Sequence, residues 1–302
     1  MSVVSVVGCE GYDNLMPHLV RLFGQAGSLG LKTGDTVAIK INLCDARTPE
    51  TGAITHPWFL DALLRFVRET YEDIDLYVVE SDSTVVLADD FIRWFGFLPV
   101  IEKWDAKWRN LSKDEIVLKP IDGHFLKSVP VPALLLRANL ISLSKLKTNS
   151  LTRITTSLKN QFGCLPMVGK SVYHDHLAEV VADVNLAMRP IFSIVDGILA
   201  MGGASGPSFG VPIRANVILA GRDPVAVACA SAEFMGISPG RVRHIQLATS
   251  LGVGSMHYEL VGDNVDRIDF ELDRLADLQS TAARLVKKVM RHNSRLAWKQ
   301  AK

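Results

Sequence analysis

The chain has no apolar run near the roughly 18 residues that a membrane-spanning helix requires. Its opening residues, MSVVSVVGCEGYDN, lack the basic stretch that begins a secretory signal. Both absences point to a cytoplasmic protein. Charge of one sign is missing too: 33 basic residues face 32 acidic ones. The basic footprint on which nucleic-acid binding depends is therefore not there, and no nucleic-acid partner is expected. Cysteine is scarce. Cys9, Cys44, Cys164 and Cys229 are the four positions, none within three residues of another. This spacing excludes a CxxC zinc pair and the CxxCxxC run of an internal iron–sulfur cluster. A disulfide framework does not suit the compartment, and the thiols read as small core hydrophobes. Cys164 stands apart because it lies in the turn just after Lys159.

What is present is a chain of 302 residues, 48% hydrophobic, long enough to bury a large core. Residues 12–26 have helical spacing. Residues 36–43 alternate as a strand through Val37, Ile39, Ile41 and Leu43. Residues 57–70 read as a helix with Pro57 in its first turn and Thr55 or His56 as its cap. Residues 75–79 form the next strand, so a right-handed βαβ unit with a parallel sheet is expected. A helix follows at 89–96, with Trp94 and Phe95 facing the core. Shorter peripheral strands are expected at 115–118 and 125–129. Strand character runs through Leu134–Leu136 and Leu140–Leu143, and helical character through 151–159. Later come a helix at 177–188, a buried strand at 191–196, a glycine-dense loop at 197–210, a strand at 216–220 and a helix at 224–235 opening after Asp223. The fold class is α/β, a mostly parallel central sheet flanked by helices, with a ligand cleft at the strand C-terminal ends. One domain covers residues 1–268, and a division into lobes of about 1–132 and 133–268 stays open. Residues 269–302 form a basic helical extension carrying Arg284, Lys287, Lys288, Arg291, Arg295, Lys299 and Lys302. It reads as a solvated helix, with contact to an anionic membrane surface or a partner as the alternative.

The segment ISLSKLKTNSLTRITTSLKNQFGCLP, residues 141–166, is the most informative. Between Glu115 and Asp175 the only acidic residue is Asp122, whereas Lys145, Lys147, Arg153 and Lys159 sit among hydroxyl and amide side chains. Cations mixed with such donors after a buried strand suit the grip on a carboxylate or phosphate. A solvated basic surface is the competing reading. Asn42 and Lys40 share a face, as do Glu80 and Asp82, at the ends of predicted strands; turn and helix capping are the alternatives there. Lys159 could act as a base of lowered pKa or as a fixed cation. His174 and His176, with Asp175 between them, suggest proton transfer, or a divalent metal if Glu80 completes the set. The loop MGGASGPSFG, which holds Gly203 and Gly206, lacks both the GxGxxG and the GxxxxGK[ST] spacings. It still allows a backbone to approach a ligand closely.

The ordered series VAIKINL with ITHPWFLDALLRFV, VVESDS, LSKLKTNSLTRITTSLKNQFGCLP, YHDHLAEVVADVN, PIFSIVDGILAMGGASGPSFGVP and ILAGRDPVAVA resembles the DUF362 family, several members of which carry a ferredoxin-type iron–sulfur module. The resemblance places Asn42, Glu80, Lys145, Lys147, Lys159, Asn160, His174, Asp196, Gly206 and Asp223 on the family's recurring polar positions. It also marks departures: Asn149 stands where the family often has histidine, Ala228 where aspartate is common, and the cluster cysteines are absent. A second resemblance is to the lactate racemase family, in which a lysine and a later histidine serve a nickel-pincer cofactor; Lys159 and His174 are similar in spacing.

The expectation is an enzyme for a small anionic substrate. Lys159, His174 and Glu80 would be catalytic, and Asn42, Lys145, Lys147, Asn149, Asn160, Gly203 and Gly206 would bind the substrate. His174, His176 and Glu80 are the metal candidates. A non-catalytic ligand-binding protein, an oxidoreductase component taking electrons in trans and a nickel-pincer-like racemase are the alternatives. A homo-oligomer is left open.

Overall fold

The computed structural model describes residues 1–203 and 210–270. Gly206 and the basic stretch from Arg284 to Lys302 lie outside the described residues.

In chain order, β1 (Ser2–Gly8) is followed by α1 (Met16–Ala26), β2 (Thr36–Lys40), α2 (Pro57–Thr70) and β3 (Asp75–Glu80). Two short helices, α3 (Ala88–Trp94) and α4 (Phe97–Lys103), lead to β4 (Lys107–Asn110). A separate hairpin of β5 (Ile116–Pro120) and β6 (Ser128–Pro132) precedes α5 (Ala133–Arg137) and the long strand β7 (Asn139–Asn149). Then come β8 (Arg153–Thr155), α6 (Ser157–Asn160), α7 (Leu177–Ala187), β9 (Phe192–Gly202), β10 (Val211–Gly221), α8 (Pro224–Phe234), α9 (Arg243–Ser250) and β11 (Tyr258–Gly262).

The central sheet has nine strands in the order β11-β1-β10-β9-β7-β2-β3-β4, with β8 pairing on β7. The pairs β7–β9, β2–β7, β2–β3 and β3–β4 are parallel, as is β1–β11. β10 runs antiparallel to both its neighbours, β1 and β9. This is the expected α/β class with a mostly parallel sheet.

Strand alternation explains how the sheet divides two cores. On β2, Val37 and Ile39, and Ile41 just past its end, join the layer formed with α1, α2 and α4. Ala38 faces the opposite layer, with α7, α8 and α9. Lys40 is one pleat further along that second face. The α2 helix begins with His56 as its cap, its ring nitrogen accepting from Trp58 N, and Pro57 at the first helical position. Asp223 does the same for α8, accepting from Val225 N and Ala226 N. Among the described residues no helix is long and apolar enough to cross a membrane.

Four local expectations change. Leu134–Leu136 lie in the short helix α5, not in a strand. Trp94 is 69% exposed because α3 buries the stripe Ala88, Phe91 and Ile92, which position 94 misses. Residues 151–159 do not form one helix. Asn149 Oδ1 accepts from Leu151 N and Thr152 N, and Arg153 has φ +67°, so the chain turns back as β8. The glycine-dense loop is shorter than 197–210, since β9 and β10 stay paired out to Gly202 and Val211. Gly203 then has φ +94°, the left-handed region that glycine enters without steric cost.

Candidate functional site

Parallel strands end on one side of the sheet, and the residues just past β2 and β3 meet there. They line a cavity of about 430 Å³ together with α6 and the segment from Phe162 to His174. Lys40 and Glu80 form its floor as a buried ion pair, Nζ to Oε2 2.8 Å, with exposures of 1% and 5%. Every oxygen of Glu80 is engaged. Oε2 also accepts from Leu43 N at 3.0 Å, and Oε1 from Ser81 N at 2.9 Å. The Lys40 ammonium donates in addition to Ile41 O. Gly163 makes this packing possible: a Cβ there would lie 2.7 Å from Lys40 Nζ and 2.8 Å from Glu80 Oε1.

Beside the floor, an amide lattice ties β2, β7 and α6 together. Asn42 Nδ2 donates to Asn160 Oδ1, and Asn160 Nδ2 donates to Lys40 O and Ser142 Oγ. Asn42 Oδ1 accepts from Lys147 Nζ at 2.8 Å. Lys147, fully buried, also donates to Ala53 O at 2.6 Å and lies 3.1 Å from Cys44 Sγ. It is a fixed cation directly behind the cavity wall.

Lys159 and Lys170 complete the basic character. Lys170 donates to Ser81 Oγ and Asp82 O, and burial brings its pKa down to about 8, with Glu80 opposing. Lys159 is half-buried and lies 4.8 Å over the Phe162 ring. Its ammonium makes no hydrogen bond or ion pair among the described residues. Burial chiefly, and the charges of Lys147, Lys40 and Lys170, pull its pKa down to about 8. Among the described residues Glu80 is the only carboxylate lining the cavity, and it is spent on Lys40. Lys147, Lys159 and Lys170 are left without a carboxylate partner. Such a site favours an anion.

The sequence-derived residues divide accordingly. Asn42, Glu80, Asn149, Lys159, Asn160 and His174 all line the cavity, and Lys147 stands behind it. His174 is exposed at the rim, while His176 stacks on Phe125 at 4.2 Å and does not line the cavity. Among the described residues no group of three His, Cys, Asp or Glu side chains could hold a metal ion. Asn149 spends its carbonyl oxygen on the β7–β8 turn. Gly203 accepts from Thr148 Oγ1 and lies outside the cavity lining. Cys164 is buried and burial pushes its thiol up to about 12, so it is inert.

Lys145 belongs to a second cluster. Its ammonium meets Asp196 Oδ2 at 2.8 Å, both fully buried, and Tyr12 OH donates to both Asp196 oxygens at 3.1 Å. The Tyr12 ring stacks on His56 at 3.9 Å. Burial, then the Asp196 charge, raise the Tyr12 phenol; burial lowers His56. Tyr12 and His56 open onto another cavity with Glu10, Glu50 and Arg214.

Sequence reasoning missed Lys170, Cys44, Tyr12 and His56 as members of these clusters. For Lys170 a signal existed: a lysine four residues before His174 in the acid-poor segment. Nothing in the spacing pointed to Tyr12, which is 184 residues from Asp196.

The family described as a domain of unknown function, DUF362, matches residues 37–233. The chain belongs to this family. A thylakoid-associated protein of Synechocystis sp. is 25% identical over 270 residues, which is 85% of this chain and 82% of that protein. No solved structure matches the chain. The DUF362 span contains every residue lining the lysine cavity, from Lys40 to His174, whereas Tyr12 lies outside it.

Proposed function

We propose that this DUF362 chain is an enzyme acting on a small anionic substrate, a carboxylate or phosphate, by proton transfer at Lys159 and His174. The observation that carries this reading is the charge imbalance around the 430 Å³ cavity. Its only lining carboxylate among the described residues is paired, and Lys147, Lys159 and Lys170 are not. Lys170, which lines the cavity, holds the anion, and the buried Lys147 adds positive charge from behind the wall. A lysine with its pKa near 8 interconverts between acid and base close to neutral pH. Glu80 takes a different part from the one its position suggests, holding Lys40 and the strand ends and not moving protons.

The test has two arms. Inorganic phosphate or acetate should raise the Tm of the wild type and do so less in Lys170→Ala. A panel of small 2-hydroxy and 2-oxo acids in deuterated water should show substrate-proton exchange that is lost in Lys159→Ala and His174→Ala. Exchange that survives both substitutions overturns the catalytic assignment.

One observation favours a second reading, an anion-binding protein without chemistry. Asn42, Asn149, Asn160 and Glu80 are all committed to one another, to lysines or to backbone. Saturable phosphate binding with no exchange on any panel member would support that reading. We keep a cytoplasmic location for this chain. The thylakoid association in the relative's name makes surface attachment the alternative, and membrane fractionation separates the two.

A further inference from the structure

Three lysines line the cavity, and they are not equivalent. Lys40 is tied to Glu80 and Ile41 O, and Lys170 to Ser81 Oγ and Asp82 O. Lys159 donates to nothing among the described residues, and its amine lies against the Phe162 ring. Apolar Leu43 and Val168 line the same space. An apolar wall and neighbouring cations are the two conditions that keep an amine in its neutral, nucleophilic form.

We propose that Lys159 is an imine-forming lysine, whose substrate is a carbonyl compound carrying a carboxylate or phosphate. This deepens the anionic-substrate reading and rests on it. The anionic group would sit on Lys170, with the hydroxyls of Ser83 and Thr84 on the same wall. The neutral Nζ attacks the carbonyl carbon and the C=O π pair moves to oxygen. A proton passes from nitrogen to that oxygen, giving a carbinolamine. Protonation of its hydroxyl, for which His174 stands at the rim, releases water and leaves the protonated imine. Amine and carbonyl thus give imine and water, with no oxidant or further reactant. With its pKa near 8, about a tenth of Lys159 is neutral at pH 7. The imine then acts as an electron sink for a bond adjacent to the former carbonyl.

The experiment uses the full chain with glyoxylate, pyruvate and 2-oxoglutarate, each with sodium cyanoborohydride, followed by peptide mass mapping. The expected result is a saturable reduced adduct at Lys159, enriched about tenfold or more over the exposed Lys103, Lys107 and Lys113. Inorganic phosphate should compete with it, and acetaldehyde, which has no anionic group, should label Lys159 no better than the exposed lysines. Lys159→Arg and Lys159→Met should both lose the adduct while melting cooperatively. Labelling spread evenly over exposed lysines, or absent from Lys159 with all three acids, overturns the proposal. If phosphate still raises the Tm in that case, the anion site stands and only the imine fails. If phosphate gives no stabilisation and no competition, the anionic-substrate reading fails with it.

Discussion

Replacing Lys159 by methionine keeps a long unbranched side chain and removes an ammonium that its surroundings disfavour. In the folded protein, burial and the charges of Lys147, Lys40 and Lys170 lower its pKa from the ordinary 10.5 to about 8. That drop corresponds to about 3 kcal/mol against the charged form. The side chain is half-buried and solvent screens part of the effect, leaving about 2 kcal/mol. The sign follows from proton linkage. Below pH 8 both folded and unfolded chains hold the proton, and the folded state bears the whole cost. Between pH 8 and 10.5 the folded state releases a proton that the unfolded state keeps, so the wild type gains stability as pH rises. Lys159→Met should therefore be about 2 kcal/mol more stable than wild type at pH 7, with the difference closing toward pH 10.5. Urea melts of both proteins at several pH values measure it, and taking the difference cancels groups common to both. Phosphate-dependent stabilisation should fall in the same variant. A Lys159→Met protein less stable than wild type at pH 7, or a difference that does not change with pH, would refute the reasoning.

Glu80→Gln should lower stability by about 3 kcal/mol in urea unfolding, because Lys40 stays buried without its carboxylate and an amide N–H is set against a donor. Unchanged stability would release Glu80 for a chemical role. Asn149→Ala should cost about 2 kcal/mol by stranding Leu151 N and Thr152 N, while Thr152 Oγ1 keeps Ile154 O as its acceptor, with the Tm as readout. In the native protein, iodoacetamide should modify half-buried Cys44 well before Cys164, whose thiol burial holds at about 12. Early labelling of Cys164 on peptide mapping would contradict its packing.

The strand and helix series was readable wherever periodicity was strong. Residues 57–70 have the same limits in sequence and structure because Pro57 and the His56 cap fix the start. The basic segment at 141–166 also delivered Lys147, Lys159 and Asn160 to one place, since the end of a buried strand admits few alternatives. What sequence could not show is who partners whom. Glu80 looked available until its three donors were visible: Ser81 N is its chain neighbour, but Lys40 Nζ and Leu43 N are brought to it by the pairing of β2 with β3. Lys145 and Lys147 are two apart, yet a register shift between them on β7–β9 sends one to Asp196 and the other to Asn42. The 151–159 segment misled because helix propensity there yields to a turn fixed by Asn149 and a left-handed Arg153.

The placement of β1 has a practical consequence. It is inserted between β10 and β11, so the first strand of the described chain is completed only by strands from its last quarter. A fragment trimmed to the family-matching residues 37–233 would lose β1 and β11 together. β10 would then present the backbone that pairs Val217–Gly221 with Val4–Gly8 as an open, apolar edge, an invitation to edge-to-edge association. The portion that defines the family is therefore not the portion that can be cut out and studied alone, and on the ribosome the sheet cannot close until Gly262 has emerged.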